Sequence, residues 1–323
     1  MRARRRRPGA RCWLDQELAQ ALRFAQEYAN GARVWAVEGT GHYGAGLARY
    51  LSRQGETVCE IGRGRRDERR LRGKKDSLDA TRAAHTALAS ETLSLPRAGQ
   101  RREALRLLLL ARRSAVDVRR VALVQLRSVV VTCPDDLREQ LRGLPAGRLI
   151  QRCSRLRRSS AMSADEVATR LVLRSLARRI QTATVEADEL QQEILGHIRA
   201  LAPRLLDEPG VGPIVAAQLL IAWSHRGRVR SEAAFVRLAG VAPVPASSGQ
   251  TQRHRLSRGG DRQLNRALHT VVLHRRHHDP ATKDYIARRI AEGKSQRDAA
   301  GLLKRYLARH LYRLLQNQEP SMA

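Results

Sequence analysis

The stretch "RVWAVEGTGHYGAGLARYLSRQGETVCEIG" (residues 33–62) decides the fold of the N-terminal part. "RVWAV" (33–37) is an apolar run of strand length that ends at Glu38. "GTGHYG" has turn composition, "AGLARYLSRQG" is helical and stops at a glycine, and "TVCEIG" (57–62) is a second strand. Two strands joined through a helix pair in parallel, so this portion is an α/β unit. Helical periodicity precedes it in "LDQELAQALRFAQEYAN" (14–30), and the basic residues 1–12 are expected to be disordered. A charged loop, "RGRRDERRLRGKK", and a helix, "DSLDATRAAHTALAS" (76–90), follow it.

Beyond Pro96 the pattern changes to long helices. One runs from about Ala98 to Val131 and breaks at "TCPDD"; another starts near Ser163, where "SADE" forms a capping box. The second carries Leu173, Leu176, Ile180, Ala183, Ala187, Leu190, Ile194 and Leu201 at alternating spacings of three and four, with His197 in the one gap. Such a series is a coiled-coil seam. We expect it to join two copies into a dimer or tetramer, the other reading being a hairpin packed on itself. From "LLDEPGVGPIVAAQLLIAW" (205–223) onward the chain reads as helices with loops, including helices near 261–278 and 295–316. The expected organisation is mainly α with an N-terminal α/β portion, in three segments: 1–95, 96–204 and 205–323.

Lys and Arg number 61 against 31 Asp and Glu, a formal net charge of +30, and only five of the basic residues are Lys. An excess of this size repels itself unless a polyanion neutralises it, and Arg forks fit phosphate oxygens, so nucleic acid is the expected partner. A GC-rich genome would explain Arg over Lys but not base over acid. No apolar run has the length of a membrane span, so no membrane partner is expected. Cys12, Cys59, Cys133 and Cys153 lack C-x-x-C spacing, which points to a reducing cytoplasm and away from a zinc site. With two Phe in the chain, base-stacking platforms are not expected.

Three constellations carry possible chemistry. In "PGVGPIVAAQLL", Gly210 and Gly212 permit a tight turn with exposed N–H groups ahead of a helix that starts at Pro213. This is the pattern of a helix-hairpin-helix that binds phosphate without reading sequence, or else of an ordinary helix–helix turn. Glu38 follows a strand, and Asp76 and Asp79 lie three apart at a helix start, on one face. Three such carboxylates can hold Mg²⁺ for phosphate chemistry, although "DSLD" alone also makes a good N-cap. In "PASSGQTQRHRLSRGGDRQLNRAL" (245–268), Ser247 and Ser248 precede Gly249, and Arg253, Arg255, Arg258 and Arg262 follow. A hydroxyl beside guanidiniums can meet a phosphodiester, but the bare pattern reads first as a solvated basic loop. His274, His277 and His278 read as nucleic-acid contacts or a surface face rather than a metal site.

"VEGTGHYGAGLARYL", "GKKDSLDATRAA", "PGVGP…AAQLL" and "FVRLAGVAPVPASSG…RHRLSRGGDRQLNRAL" occur in one order. Together they resemble insertion-sequence transposases of the IS-one-ten type, related to Piv-like DNA invertases, from about residue 20 to the C-terminus. The resemblance implies a RuvC-like (RNase H-like) DEDD domain, a coiled-coil segment and a helical serine transposase domain. It implies RNA-guided strand exchange, with a bridge RNA pairing to donor and target DNA, in the bacterial cytoplasm at the nucleoid. The catalytic serine would be the one directly before the glycine, Ser248, which attacks a phosphodiester and forms a covalent protein–DNA intermediate. Glu38, Asp76 and Asp79 match the second, third and fourth acidic positions and would hold Mg²⁺ beside a serine of a neighbouring subunit. The first acidic position belongs to a strand of the type "IGIDVHK", which the 37 residues before Glu38 do not contain. The RuvC-like domain is therefore expected to be N-terminally incomplete, through an upstream start codon or decay of the copy. The other readings are an inactive nucleic-acid-binding remnant and a metal-dependent junction nuclease.

Overall fold

The computed structural model describes residues 10–62, 76–245, 254–256 and 259–317; of residues 10–15, 76, 77 and 254–256 it describes the backbone alone. The described chain is mostly helical, with a small parallel sheet near the N-terminus and a short antiparallel ladder further on. It divides into two compact units, one of residues 1–99 with 223–234, the other of residues 100–222 with 235–323.

In the first unit, α1 (Ala10–Tyr28) leads into β1 (Val34–Glu38), α2 (Ala45–Arg53), β2 (Thr57–Ile61) and α3 (Asp76–Leu88). β1 and β2 pair in parallel, with Val34 opposite Thr57 and Glu38 opposite Ile61. Alternate side chains of a strand point to opposite faces, and both faces are covered here. Leu22 of α1, Ala48 and Leu51 of α2, Val37 and Val58 form one core. Ala83 of α3 closes the other face over Cys59 and Ile61. Arg33 and Trp35 tie the start of β1 to Glu56, whose carboxyl their hydrogen bonds hold below its ordinary range. α1 begins at Ala10, so residues 10–12, expected to be disordered, are helical in backbone.

In the second unit, α4 (Gln100–Thr132) and α7 (Ala164–Leu201) form a long antiparallel hairpin. α5 (Asp135–Leu141) and α6 (Ala146–Ser154) cap its tip through Leu137, Leu141, Leu149 and Cys153. Burial pushes the Cys153 thiol up to about 11, so this cysteine acts as a packing group rather than a nucleophile. At the start of α7, Glu166 accepts a hydrogen bond from the Ser163 N–H at 3.0 Å, as the capping pattern predicts.

The α7 seam corrects the sequence reading in two respects. Leu173, Leu176, Ile180, Ala183, Ala187 and Ile194 are buried, and α4 of the same chain packs along α7. The hairpin alternative therefore accounts for the seam that was expected to join two copies. The gap in the series is filled by Ile198, fully buried, rather than by His197. Ile198 follows Ile194 by four residues and so continues the same stripe. α4 also carries a second apolar row, Leu107, Leu110, Val118, Val121, Val124 and Val131, which is exposed in the single chain.

The remainder of this unit comprises a 3₁₀ turn (Pro203–Leu205), α8 (Pro213–Trp223), α9 (Glu232–Leu238), β3 (Pro243–Pro245), β4 (His254–Leu256), α10 (Arg262–His278), α11 (Pro280–Ala291) and α12 (Gln296–Gln316). Residues Val215–Ala222 of α8 are buried on all sides, Gln218 included, as a helix otherwise apolar all round requires. β3 and β4 pair antiparallel, a ladder that the sequence reading did not anticipate.

Candidate active site

Glu38 is the last residue of β1, and the following turn fixes its backbone. Gly39 has φ +69°, and a Cβ on Gly44 would lie 2.6 Å from the Glu38 carbonyl oxygen. Only glycine fits where the turn folds back this closely on the strand end. Asp79 lies on α3, one turn after Asp76, the first residue of that helix. Arg82 brings Glu38 and Asp79 together: its guanidinium donates to Glu38 Oε2 at 2.7 Å and lies 3.3 Å from Asp79 Oδ1. The Asp76 side chain is outside the described residues. Among the described residues, no group of three or more His, Cys, Asp or Glu forms a metal site. Two carboxylates that converge on one cation suit a divalent ion chemically.

Glu60 of β2 is a half-buried acid that the sequence reading overlooked. Arg228 donates to its Oε2 at 2.9 Å, and Arg97 lies 3.6 Å from Oε1. The signal was present: an acid inside the apolar run "TVCEIG" must find a cation once buried. Its partner Arg228 belongs to residues 223–234, which join the first unit through further contacts. Arg230 donates to the Leu93 carbonyl, and the Ala98 N–H donates to Ser224 Oγ.

Ser247, Ser248, Arg253 and Arg258 lie outside the described residues, and Arg255 is described only as part of the β4 backbone. Arg262 is the exposed first residue of α10. The chain on either side of the serines is closely fixed. A Cβ on Gly260 would lie 2.4 Å from the Gly240 nitrogen, so the two backbones cross in contact at these glycines. The Asp261 N–H donates to the Leu238 carbonyl at 2.7 Å, and Asp261 caps α10 by accepting from the N–H groups of Gln263 and Leu264. Asn265 Nδ2 donates to the Ala239 carbonyl at 2.8 Å, and Lys304 Nζ donates to Asn265 Oδ1 at 3.3 Å. The motif "GGDRQLN" thus locks the base of the segment that carries the serines.

At the glycine turn ahead of α8, Gly210 has φ +81° and packs against His274 of α10. The element before this turn is a single 3₁₀ turn rather than a full helix. Arg275 donates to the Pro209 carbonyl and to Glu208, each at 2.8 Å, and His310 Nε2 lies 2.7 Å from Glu208. Gly212 is exposed, as are His274, His277 and His278. Burial alone would raise the Glu208 carboxyl, but hydrogen bonds and charge from His310 and Arg275 outweigh it and hold the carboxyl below its ordinary range. A depressed carboxyl stabilises the fold above its ordinary value, and that stability is lost as pH falls through the depressed one. Glu208→Gln should therefore cost about 1–2 kcal/mol at neutral pH. It should also flatten the fall in melting temperature between about pH 5 and pH 3, which a pH series of thermal melts would check.

Residues 14–133 match a family of DEDD transposases of the IS110 kind. Residues 202–287 match the family described as "Transposase IS116/IS110/IS902 family". The insertion element IS110 uncharacterized 43.6 kDa protein of Streptomyces coelicolor is 31% identical over 150 residues, covering 46% of this chain and 37% of that protein. The insertion element IS900 uncharacterized 42 kDa protein of Mycobacterium paratuberculosis is 30% identical over 164 residues, covering 49% of this chain and 40% of that protein. The matched part of the chain thus spans well under half the length of either relative.

Proposed function

We infer that this chain, whose residues 14–133 and 202–287 match transposase families of the IS110 kind, rearranges DNA through a covalent serine–DNA intermediate. The observation that carries this reading is the locked base of the serine segment. The Gly240–Gly260 crossing, the Asp261 cap and the Asn265 clamp hold both ends of residues that include Ser248. A nucleophile needs such fixed support.

In the step proposed, Ser248 Oγ attacks a backbone phosphorus. An Oγ–P bond forms, one P–O bond to a sugar breaks, and the released sugar oxygen takes a proton. A sugar hydroxyl of the partner strand then attacks the phosphoserine, which reseals DNA in the new connection. One phosphodiester is exchanged for another, so no external energy source is required. Arg253, Arg255, Arg258 and Arg262 would orient the phosphate and offset the charge that develops on it. Gly210, Gly212 and the start of α8 would meet the DNA backbone through the N–H groups of the turn and helix start, without the first helix of a helix-hairpin-helix.

Mg²⁺ held by Glu38, Asp76 and Asp79 would supply Lewis-acid stabilisation of phosphate oxygens. The guide RNA, and a serine and acids drawn from different subunits, follow from the family resemblance. A second copy would pack along the exposed apolar row of α4, since the α7 seam is already covered.

The +30 charge is the basis for a nucleic-acid partner. Affinity for duplex DNA should drop at least about a thousandfold between about 50 and about 200 mM salt, as for six or more phosphate contacts. Fluorescence anisotropy across that range checks it, and a flat response would remove the role given to the charge. The chemistry is tested by incubating the protein with donor DNA, target DNA and cognate RNA and resolving the products on denaturing gels. A band of DNA attached to protein is the expected result.

A further inference from the structure

Arg82 occupies the place between the two carboxylates on which a metal ion would converge. It is 2.7 Å from Glu38 Oε2 and 3.3 Å from Asp79 Oδ1. Its Nε is buried and has no hydrogen-bond partner among the described residues. An unpartnered buried donor costs free energy. The pull of the carboxylates therefore holds this one in place against an unmet donor. The side chains of Arg82, Glu38 and Asp79 keep 21, 26 and 34% of their exposure. Ion pairs that wet are weak, so they yield to a stronger cation.

We propose that Arg82 is an internal counter-cation that closes the carboxylate site in the metal-free protein and is displaced when a divalent ion binds. The proposal rests on the reading of Glu38 and Asp79 as metal ligands. An incoming ion has to break both contacts of Arg82, and afterwards a displaced guanidinium still repels it from nearby. Both effects lower metal affinity, and both come from one residue three positions beyond Asp79. A site of this kind stays closed at low divalent-ion concentration and opens when the ion, or an ion arriving with a phosphate chain, outcompetes the arginine. Displaced, Arg82 is a free cation at the rim of the site, suited to the phosphate that the metal receives.

The test is Mn²⁺ binding to the full chain, followed by the electron paramagnetic resonance of the free ion. The proteins compared are the wild type, Arg82→Gln, Arg82→Lys and Glu38→Gln. Removing one unit charge from a solvated position beside a divalent ion changes its affinity by about tenfold. Arg82→Gln should thus bind Mn²⁺ about tenfold more tightly than the wild type, whereas Arg82→Lys, which keeps the charge, should stay within about threefold. Glu38→Gln should show background binding alone. If Glu38→Gln loses the site but Arg82→Gln binds no more tightly than the wild type, the role of Arg82 is overturned and the metal reading survives. Tight binding by Arg82→Lys equal to that of a well-folded Arg82→Gln overturns it as well, because charge would not be the cause. Where Arg82→Gln does not fold, a tenfold gain in Arg82→Lys overturns the proposal and wild-type-like affinity upholds it. Background binding in all four proteins overturns the metal reading itself, and the proposal with it.

Discussion

Ser248→Ala is expected to abolish the DNA–protein adduct and to reduce strand exchange by at least about a thousandfold, the scale on which an enzyme loses its nucleophile. Ser247→Ala, one position away, should keep the adduct. The contrast is sharp because a serine hydroxyl at its ordinary pKa is a poor nucleophile without placement against both a phosphate and its charge-stabilising groups. Denaturing gels of both variants with donor DNA, target DNA and cognate RNA give the answer. Cleavage that persists in Ser248→Ala would shift the chemistry to a metal-activated water and make the serine structural.

The largest structural effect should come from Gly260→Ala. The added Cβ would lie 2.4 Å from the Gly240 nitrogen, 2.5 Å from the Gly240 Cα and 2.8 Å from the Leu238 carbonyl oxygen. All three are backbone atoms, so no side chain can rotate away. The neighbouring helix end is also held by the Asp261 N–H bond to Leu238 and the Asn265 bonds to Ala239 and Gly240. Overpacking of this sort costs about 3 kcal/mol or more. For a unit of this size it should lower the melting temperature by about 6–12 °C. The adduct should fall together with stability, since the same crossing fixes the base of the serine segment. Gly259→Ala is the control, because a Cβ there meets nothing within 4 Å. A Gly260→Ala protein that melts with the wild type would mean that the two backbones do not cross in contact.

Much of the fold could be read from residue periodicity. The parallel pair β1 and β2, the helix between them, and α3, α4 and α7 all follow from apolar spacing, with ends within a few residues of expectation. The partner of the α7 stripe could not be read, because a heptad pattern shows that a face is covered and not by what. α5 and α6 are too short for periodicity to stand out, although Pro134 and Pro145 mark their starts. α11 did carry a readable signal, Asp279 as cap followed by Pro280 at the first helical position. The antiparallel ladder of β3 and β4 is three residues a side and opens with prolines, which gives no alternation to detect.

The candidate site was legible in its residue types and not in its contacts. Glu38, Asp76 and Asp79 could be chosen from the sequence as a carboxylate set, and two of them, Glu38 and Asp79, share one cation in the fold. That the cation is Arg82, three residues after Asp79, depends on the crossing of β1 and α3, which spacing alone does not supply. Glu60 and Arg228 are 168 positions apart in sequence, so their ion pair emerges only when residues 223–234 fold into the first unit. The glycines of "LAG" and "RGG" look like ordinary turn residues until the chain brings them into contact at Gly240 and Gly260.

The central claim is that a serine of this chain becomes covalently joined to DNA. Mass spectrometry of the protease-digested, nuclease-trimmed adduct tests it most directly. The prediction is a peptide spanning residues 246–253 that carries one nucleotide on Ser248. A nucleotide on another residue, or cleaved DNA with free ends and no modified peptide, would contradict it.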